Sequence, residues 1–392
     1  MPQSIKSEQF PEWGTITFGD MFEEIKQKTS DTEKYPLYSL TIENGVTEKT
    51  ERYERSFLVT KNEDNYKIVP PNAFVYNPMN LRFGALAVNH TGKTVSVSQY
   101  YNVFKMKDES VLPFWENYLV MPSMLRFYFS IATGSLLEKL RVHYSDFVKV
   151  KKTLPSIEEQ RKISGFLSLY DKRITVQATK VEALKTRRKG LLQQIFSQEI
   201  RFKADDGSEF PEWDSVIIED AFDSISDKNH PDKTVLTIIQ GQGTIPRNES
   251  DRNISYNKAS IPTYKLVKEN DFIMHLRSFE GGLEIATREG IVSPAYTILR
   301  SKVELVPEFY RYYFRSSSFI VEKLTGITEG IRDGRSINMD DFWLLEIPYP
   351  SIPEQRKIGR FMDLINRQIQ IEKDKLEAIK LVKKGLLQQM FV

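Results

Sequence analysis

Two stretches of the chain place apolar residues at spacings that alternate strictly between four and three. In the first stretch the positions are Ile163, Leu167, Tyr170, Ile174, Gln177, Val181, Leu184, Arg188, Leu191 and Ile195. In the second they are Ile358, Met362, Ile365, Ile369, Glu372, Leu376, Ile379, Lys383, Leu386 and Met390. That rhythm puts all of these side chains on one narrow stripe, the seam of a coiled coil. It predicts a helix over 157–195, roughly 58 Å long at ~1.5 Å per residue, and an equivalent helix at the C-terminal end. The polar exceptions fall at matching places, Gln177 with Glu372 and Arg188 with Lys383. Polar seam residues cost stability but fix register and partner. Pro155, Pro350 and Pro353 sit before or within the first turn, where a missing N–H costs nothing. A two-per-heptad stripe is narrower than the face a globular core usually covers, so the two helices are expected to pack on each other. Their order in the chain leaves either orientation open; the antiparallel one is the expectation adopted.

The same stretches belong to a repeat, which decides the fold before any single element does. Phe10-Pro11-Glu12-Trp13 recurs as Phe210-Pro211-Glu212-Trp213. Pro155-Ser156-Ile157-Glu158-Glu159-Gln160-Arg161-Lys162-Ile163 recurs as Pro350-Ser351-Ile352-Pro353-Glu354-Gln355-Arg356-Lys357-Ile358, and the register then holds without a gap to Lys189-Gly190-Leu191-Leu192-Gln193-Gln194 and Lys384-Gly385-Leu386-Leu387-Gln388-Gln389. Between these landmarks the globular segments agree only at apolar or framework positions. Phe74-Val75 matches Phe272-Ile273, Val97-Ser98 matches Val292-Ser293, and Asp146-Phe147 matches Asp341-Phe342. Tyr101 matches Tyr296, and both are expected in the core rather than as stacking residues. The organisation is a globular domain (1–153), a spacer helix (154–203), a second globular domain (204–349) and a C-terminal spacer helix (350–392). The fold class is α/β (α+β) domains in tandem, each followed by a long helix. One scaffold has been given two different surfaces. Paired reading heads recognise DNA half-sites at a spacing set by protein geometry, and unlike heads would read two unlike half-sites across an unread gap.

Charge sharpens this picture. Basic against acidic residues number 16 to 17 in 11–150, 13 to 5 in 151–203, 16 to 25 in 204–349 and 9 to 5 in 350–392. The helices are therefore basic and the second domain is acidic, so bulk charge alone does not argue for nucleic acid. The absence of cysteine excludes disulfides, thiolate zinc sites and thiol nucleophiles. The four histidines (His90, His143, His230, His275) include no i, i+4 pair, so no metal site is expected. No apolar run approaches the ~20 residues that span a bilayer, and the expectation is a cytoplasmic protein without membrane contact. There is no phosphate-binding G-x-x-x-x-G-K-[ST] loop and no G-x-S-x-G elbow. Gly241-Gln242-Gly243 reads as a turn, and Asn77-Pro78-Met79-Asn80 as a loop without the aromatic that would hold a flipped base. No catalytic residue is expected.

The repeated Pro-Ser-Ile-x-Glu-Gln-Arg-Lys-Ile segment, the helix ending in Lys-Gly-Leu-Leu-Gln-Gln-x-Phe and the Pro-Glu-Trp domain start resemble type I restriction–modification specificity subunits, over nearly the whole chain. The resemblance implies that each globular domain reads one half of a bipartite double-stranded DNA target. It implies helices that set the gap and dock two methyltransferase subunits, with restriction/translocase subunits joining the assembly. Methyl donor, ATP and Mg would then reside on those partners and no cofactor on this chain. The alternative is a non-catalytic protein-interaction scaffold with two divergent binding domains on a coiled coil.

Base edges are matched by Arg or Lys at guanine and by Asn or Gln at adenine. Candidates of that kind lie in polar, glycine-punctuated loops. In the first domain they are Arg82, Asn89, Lys93, Gln99 and Tyr100; in the second, Arg277, Ser278, Arg288, Arg332 and Arg335. The last two belong to a loop, 325–335, whose counterpart in the first copy is about eleven residues shorter.

Overall fold

The structure, a computed structural model, describes residues 11–48, 66–136, 139–250, 258–275, 281–330 and 336–390. Contacts divide the chain into two compact units, Met1–Val176 with Glu377–Val392, and Gln177–Leu376. The division therefore cuts through both long helices, whereas the sequence placed its boundaries at their ends.

In the first unit, strand Gly14–Thr17 pairs antiparallel with Lys151–Leu154, so the beginning of the domain is stitched to its end just before the long helix. A four-stranded antiparallel sheet follows in the order Phe22–Glu24, Asn102–Met106, Phe74–Tyr76, Leu86–Val88. The second unit repeats both features. Asp214–Ile217 pairs with Glu346–Tyr349, and its sheet runs Phe222–Ile225, Tyr296–Ser301, Phe272–His275, Glu284–Ile285. The faint matches between copies now have a cause. Phe74-Val75 and Phe272-Ile273 are consecutive residues on central strands buried on both faces, where shape rather than partner dictates the side chain. Phe18, Phe22 and Phe147 pack around one another and around Phe104 or Trp115 at centroid distances of 4.9–5.8 Å. Each such buried ring contributes about 1.5–3 kcal/mol of transfer free energy. Tyr101 and Tyr296 are half-buried against two smaller cores, as expected.

The repeated Glu-Gln-Arg-Lys segment is a docking device. Gln160 and Gln355 are 1% and 0% exposed. Gln160 accepts from the Trp115 indole N–H at 3.1 Å and donates to the Pro155 carbonyl at 2.9 Å. Gln355 accepts from the Val306 N–H at 2.9 Å and donates to the Pro350 carbonyl at 2.8 Å. One amide thus closes the Pro-Ser turn before the helix and ties the helix to the domain it follows. Arg201 joins the second domain's start to its end, bonding the Phe210 and Pro211 carbonyls, Glu212 and the wholly buried Glu354.

The long helices are Ile157–Phe196 and Ile352–Met390. Every seam position is buried or half-buried. Within the second unit Ile195 shares a core with Ile358 and Met362, so the end of one helix lies beside the start of the other. Arg188 donates to Asn366 at 2.9 Å, and Gln177 donates to the Glu372 carboxylate at 2.6 Å and its backbone carbonyl at 2.9 Å. Partner numbers fall as helix numbers rise, which makes the pair antiparallel. The first unit holds the repeat equivalent of the Arg188–Asn366 pair, Lys383 donating to Asp171 at 2.6 Å. Gln177 and Glu372 are each other's repeat counterparts, and in an antiparallel pair of like helices such residues meet only where the two registers cross. Off the seam, repeat-equivalent apolar residues remain exposed: Leu169 with Leu364, and Val176 with Ile371.

Candidate nucleic-acid interface

The first domain's candidates come from three loops. Arg82 lies in the helical turn Leu81–Phe83, its guanidinium over the Phe83 ring at 4.7 Å and the Phe129 ring at 5.7 Å. Both rings are more than half exposed, whereas Arg82 is half-buried, with its Nε and one terminal nitrogen shielded from solvent, so the open surface there is mainly aromatic. Asn89 departs from the expectation. It is 0% exposed, and its amide donates to the carbonyls of Val69, Pro70 and Lys93 while its oxygen accepts from the Thr91 N–H and hydroxyl. Its hydrogen-bonding capacity is spent shaping the loop, leaving none for a base edge. Lys93, on the same loop, is exposed.

Gln99 and Tyr100 follow strand Val95–Val97 in a turn closed by the Tyr101 N–H to Ser98 carbonyl bond at 3.1 Å. Gln99 is half-buried and Tyr100 is 75% exposed. The second domain builds the same turn, with Tyr296 N–H to Ser293 carbonyl at 3.2 Å. The framework thus presents equivalent turns with different side chains, Gln-Tyr in one copy and Pro-Ala in the other.

In the second domain Arg288 is exposed on the loop between strands Glu284–Ile285 and Gly290–Val292. Arg277 and Ser278, and Arg332 and Arg335, lie outside the described residues. The longer loop carrying the last two is based on a ribbon, Thr328–Glu329 paired with Ser336–Ile337.

A cluster that the sequence did not single out lies within the second unit. Arg188, Arg311, Arg315, Arg367 and Lys373 line a cleft of about 820 Å³, together with the Gly241–Gly243 turn, Glu284 and Asn366. Gly241 and Gly243 form the turn expected of them, with φ of +84° and +80°, between strands Leu236–Ile239 and Gly243–Pro246. A Cβ on Gly241 would stand 2.9 Å from the Arg315 guanidinium, so the glycine admits that side chain. Glu284 accepts from the Gly241 N–H at 2.7 Å and lies 3.0 Å from Arg315 Nε. Burial pushes its carboxyl above the usual range, against the pull of Arg315 and the glycine N–H groups. Arg311 pairs with Asp363 and with the Tyr312 hydroxyl. These cations come from the first long helix, the short helix Pro307–Tyr313 with the turn after it, and the second long helix, which is why no local pattern revealed them. The one hint was that the polar seam exceptions Arg188 and Lys383 are both basic.

Among the described residues, no group of acidic, histidine or cysteine side chains could hold a metal ion, and no helix is long and apolar enough to cross a membrane.

The model of the family described as the type I restriction modification DNA specificity domain matches residues 11–186 and again 212–381. A Methanocaldococcus jannaschii protein named for the specificity subunit of the type I restriction enzyme MjaX is 23% identical over 284 residues, which covers 70% of this chain and 66% of that relative's length. Among solved structures, the type I restriction–modification system S subunit from M. genitalium superposes with a TM-score of 0.52 at 14% identity, over 99% of this chain and 98% of that one. A chain solved in work on complex assembly and conformational transition of the type I R-M system superposes with a TM-score of 0.56 at 15% identity, over 98% of both chains. These likenesses show a shared fold from end to end. With a family match in each half that starts at the Pro-Glu-Trp motif and runs into the long helix, the chain belongs to the type I restriction–modification DNA specificity family.

Proposed function

We propose that this chain is the non-catalytic, cytoplasmic DNA-recognition subunit of a type I restriction–modification complex. Each globular domain reads one half of an asymmetric bipartite duplex target, and the antiparallel helices set the gap. The observation that carries this reading is a framework whose four-stranded sheet and start-to-end strand pair repeat in both copies while its solvent-facing loops differ, as in the equivalent turns at 98–101 and 293–296. A duplicated enzyme would keep its chemistry in both copies, whereas a two-part reader needs equal scaffolds and unequal surfaces. The exposed apolar pairs Leu169/Leu364 and Val176/Ile371 give each helix an equivalent face on which a methyltransferase subunit docks. Restriction/translocase subunits join that assembly, and methyl donor, ATP and Mg are held by the partners.

The test is genome-wide mapping of methylated adenine in cells that express this chain with a partner methyltransferase. The expected result is one asymmetric motif with a fixed internal gap. A symmetric ungapped motif would refute the reading, as would methylation without the partner. In the same strains Leu364→Ser with Ile371→Ser should abolish methylation while the chain stays folded; retained methylation would exclude this docking face.

A further inference from the structure

The second domain carries 16 basic against 25 acidic residues, yet DNA affinity draws heavily on phosphate neutralisation. The cleft within the second unit gathers cations although the domain as a whole is net acidic. Five line it, against Glu284 on the wall and Asp363 beside Arg311. Arg367 and Lys373 are exposed and form no ion pair among the described residues. Arg188 spends one nitrogen on the neutral Asn366, while its Nε is buried without a hydrogen-bond acceptor. An adjoining recess of about 560 Å³ shares Arg188, Leu192 and Arg315 and adds Lys185 and Lys189. Together the two cavities form a run of cations rather than a single socket.

We propose that this trough seats phosphate groups, and that their source is the backbone of the bound duplex. The proposal rests on the DNA-recognition reading and adds to it the place where one strand is held. Guanidinium forks match phosphate oxygens in pairs, and Arg315 and the exposed Arg367 bring such forks to the lining of the cleft. An elongated cationic run suits a polyanion better than an isolated anion. The aromatic on the wall, Tyr312, offers no free face for a nucleobase. Its ring lies under Arg311 at 4.9 Å, and its hydroxyl is held by Arg311, Asn366 and Asp363. Contacts of this kind fix position without reading sequence.

The experiment compares the full chain with its Arg367→Gln/Lys373→Gln variant, each assembled with partner subunits, in binding a target duplex and a random duplex across a salt series. Both residues are exposed, so folding is preserved. Affinity for the two duplexes should fall together by about tenfold or more, and the log–log salt slope should become shallower by about 1.8. The methylated motif should not change. An unchanged slope and affinity overturns the proposal. So does inorganic phosphate or ATP that binds the parent and not the variant while the DNA slope stays the same, because the seat would then belong to a free phosphate. Loss of all sequence-dependent methylation by the parent chain defeats the recognition reading itself, independently of the variant.

Discussion

At the scale of single residues, the buried glutamines explain why so specific a motif occurs twice. Gln355 satisfies a donor, Val306 N–H, and an acceptor, the Pro350 carbonyl, where water does not reach. Gln355→Leu keeps the volume and removes both partners. An unsatisfied buried polar group costs about 1–3 kcal/mol, so the variant should lose about 2–4 kcal/mol. That loss would be read from the urea midpoint of the full chain; a change within about 0.5 kcal/mol would mean that the two backbone groups find other partners. Asn89 teaches the converse. A polar residue in a glycine-flanked loop was a reasonable adenine reader by residue type, but type does not reveal which way an amide points. Three carbonyls converge on it, two of them, Val69 and Pro70, from a segment about twenty residues earlier. Arg82 is half-buried instead, its guanidinium laid over the exposed rings of Phe83 and Phe129 with Nε shielded from solvent.

Among the elements, the helices were the most legible part, since a 4–3 rhythm is local and needs no knowledge of the partner. Their polar seam positions turned out to be hydrogen-bonded matches across an antiparallel pair. Glu372 accepts from Gln177 and is flanked by Lys375 and Lys180 at 3.0 and 3.1 Å. Hydrogen bonds from these three, Gln177 foremost, hold its carboxyl down at about 2. A depressed carboxylate stabilises the fold at any pH above its unfolded value, about 4.3, and that contribution disappears as pH falls toward the folded value. Glu372→Gln should therefore be less stable than the parent from pH 7 to 5, with the gap closing between about pH 4 and 2. Thermal unfolding followed by circular dichroism would show it, and a pH-independent gap would mean that the charge is not what matters at this position. The basic cleft lies at the opposite extreme of legibility. Arg188, Arg311, Arg315, Arg367 and Lys373 belong to three segments that only the folded second unit assembles, and no periodicity links them.

For the molecule as a whole, the separation of an ungapped helical register from divergent loops makes a quantitative prediction. If the helices set the gap in the target, their length is the variable to change. An insertion into one helix alone would slip its partner and break the Asp171–Lys383 or Arg188–Asn366 pair. A seven-residue insertion between Gln177 and Val181, matched by one between Glu372 and Leu376, keeps the seam on one face and lengthens both helices together. Seven residues add about 10 Å at ~1.5 Å per residue, or about three base pairs at ~3.4 Å each. Adenine-methylation maps of this variant should show both half-sites unchanged and the gap longer by about that number. Exchange of residues 204–349 for the corresponding domain of another family member should do the opposite, changing one half-site and leaving the other and the gap intact. Half-sites that shifted with helix length, or a gap that ignored it, would separate the spacer from the reading heads in a way the ruler argument does not survive.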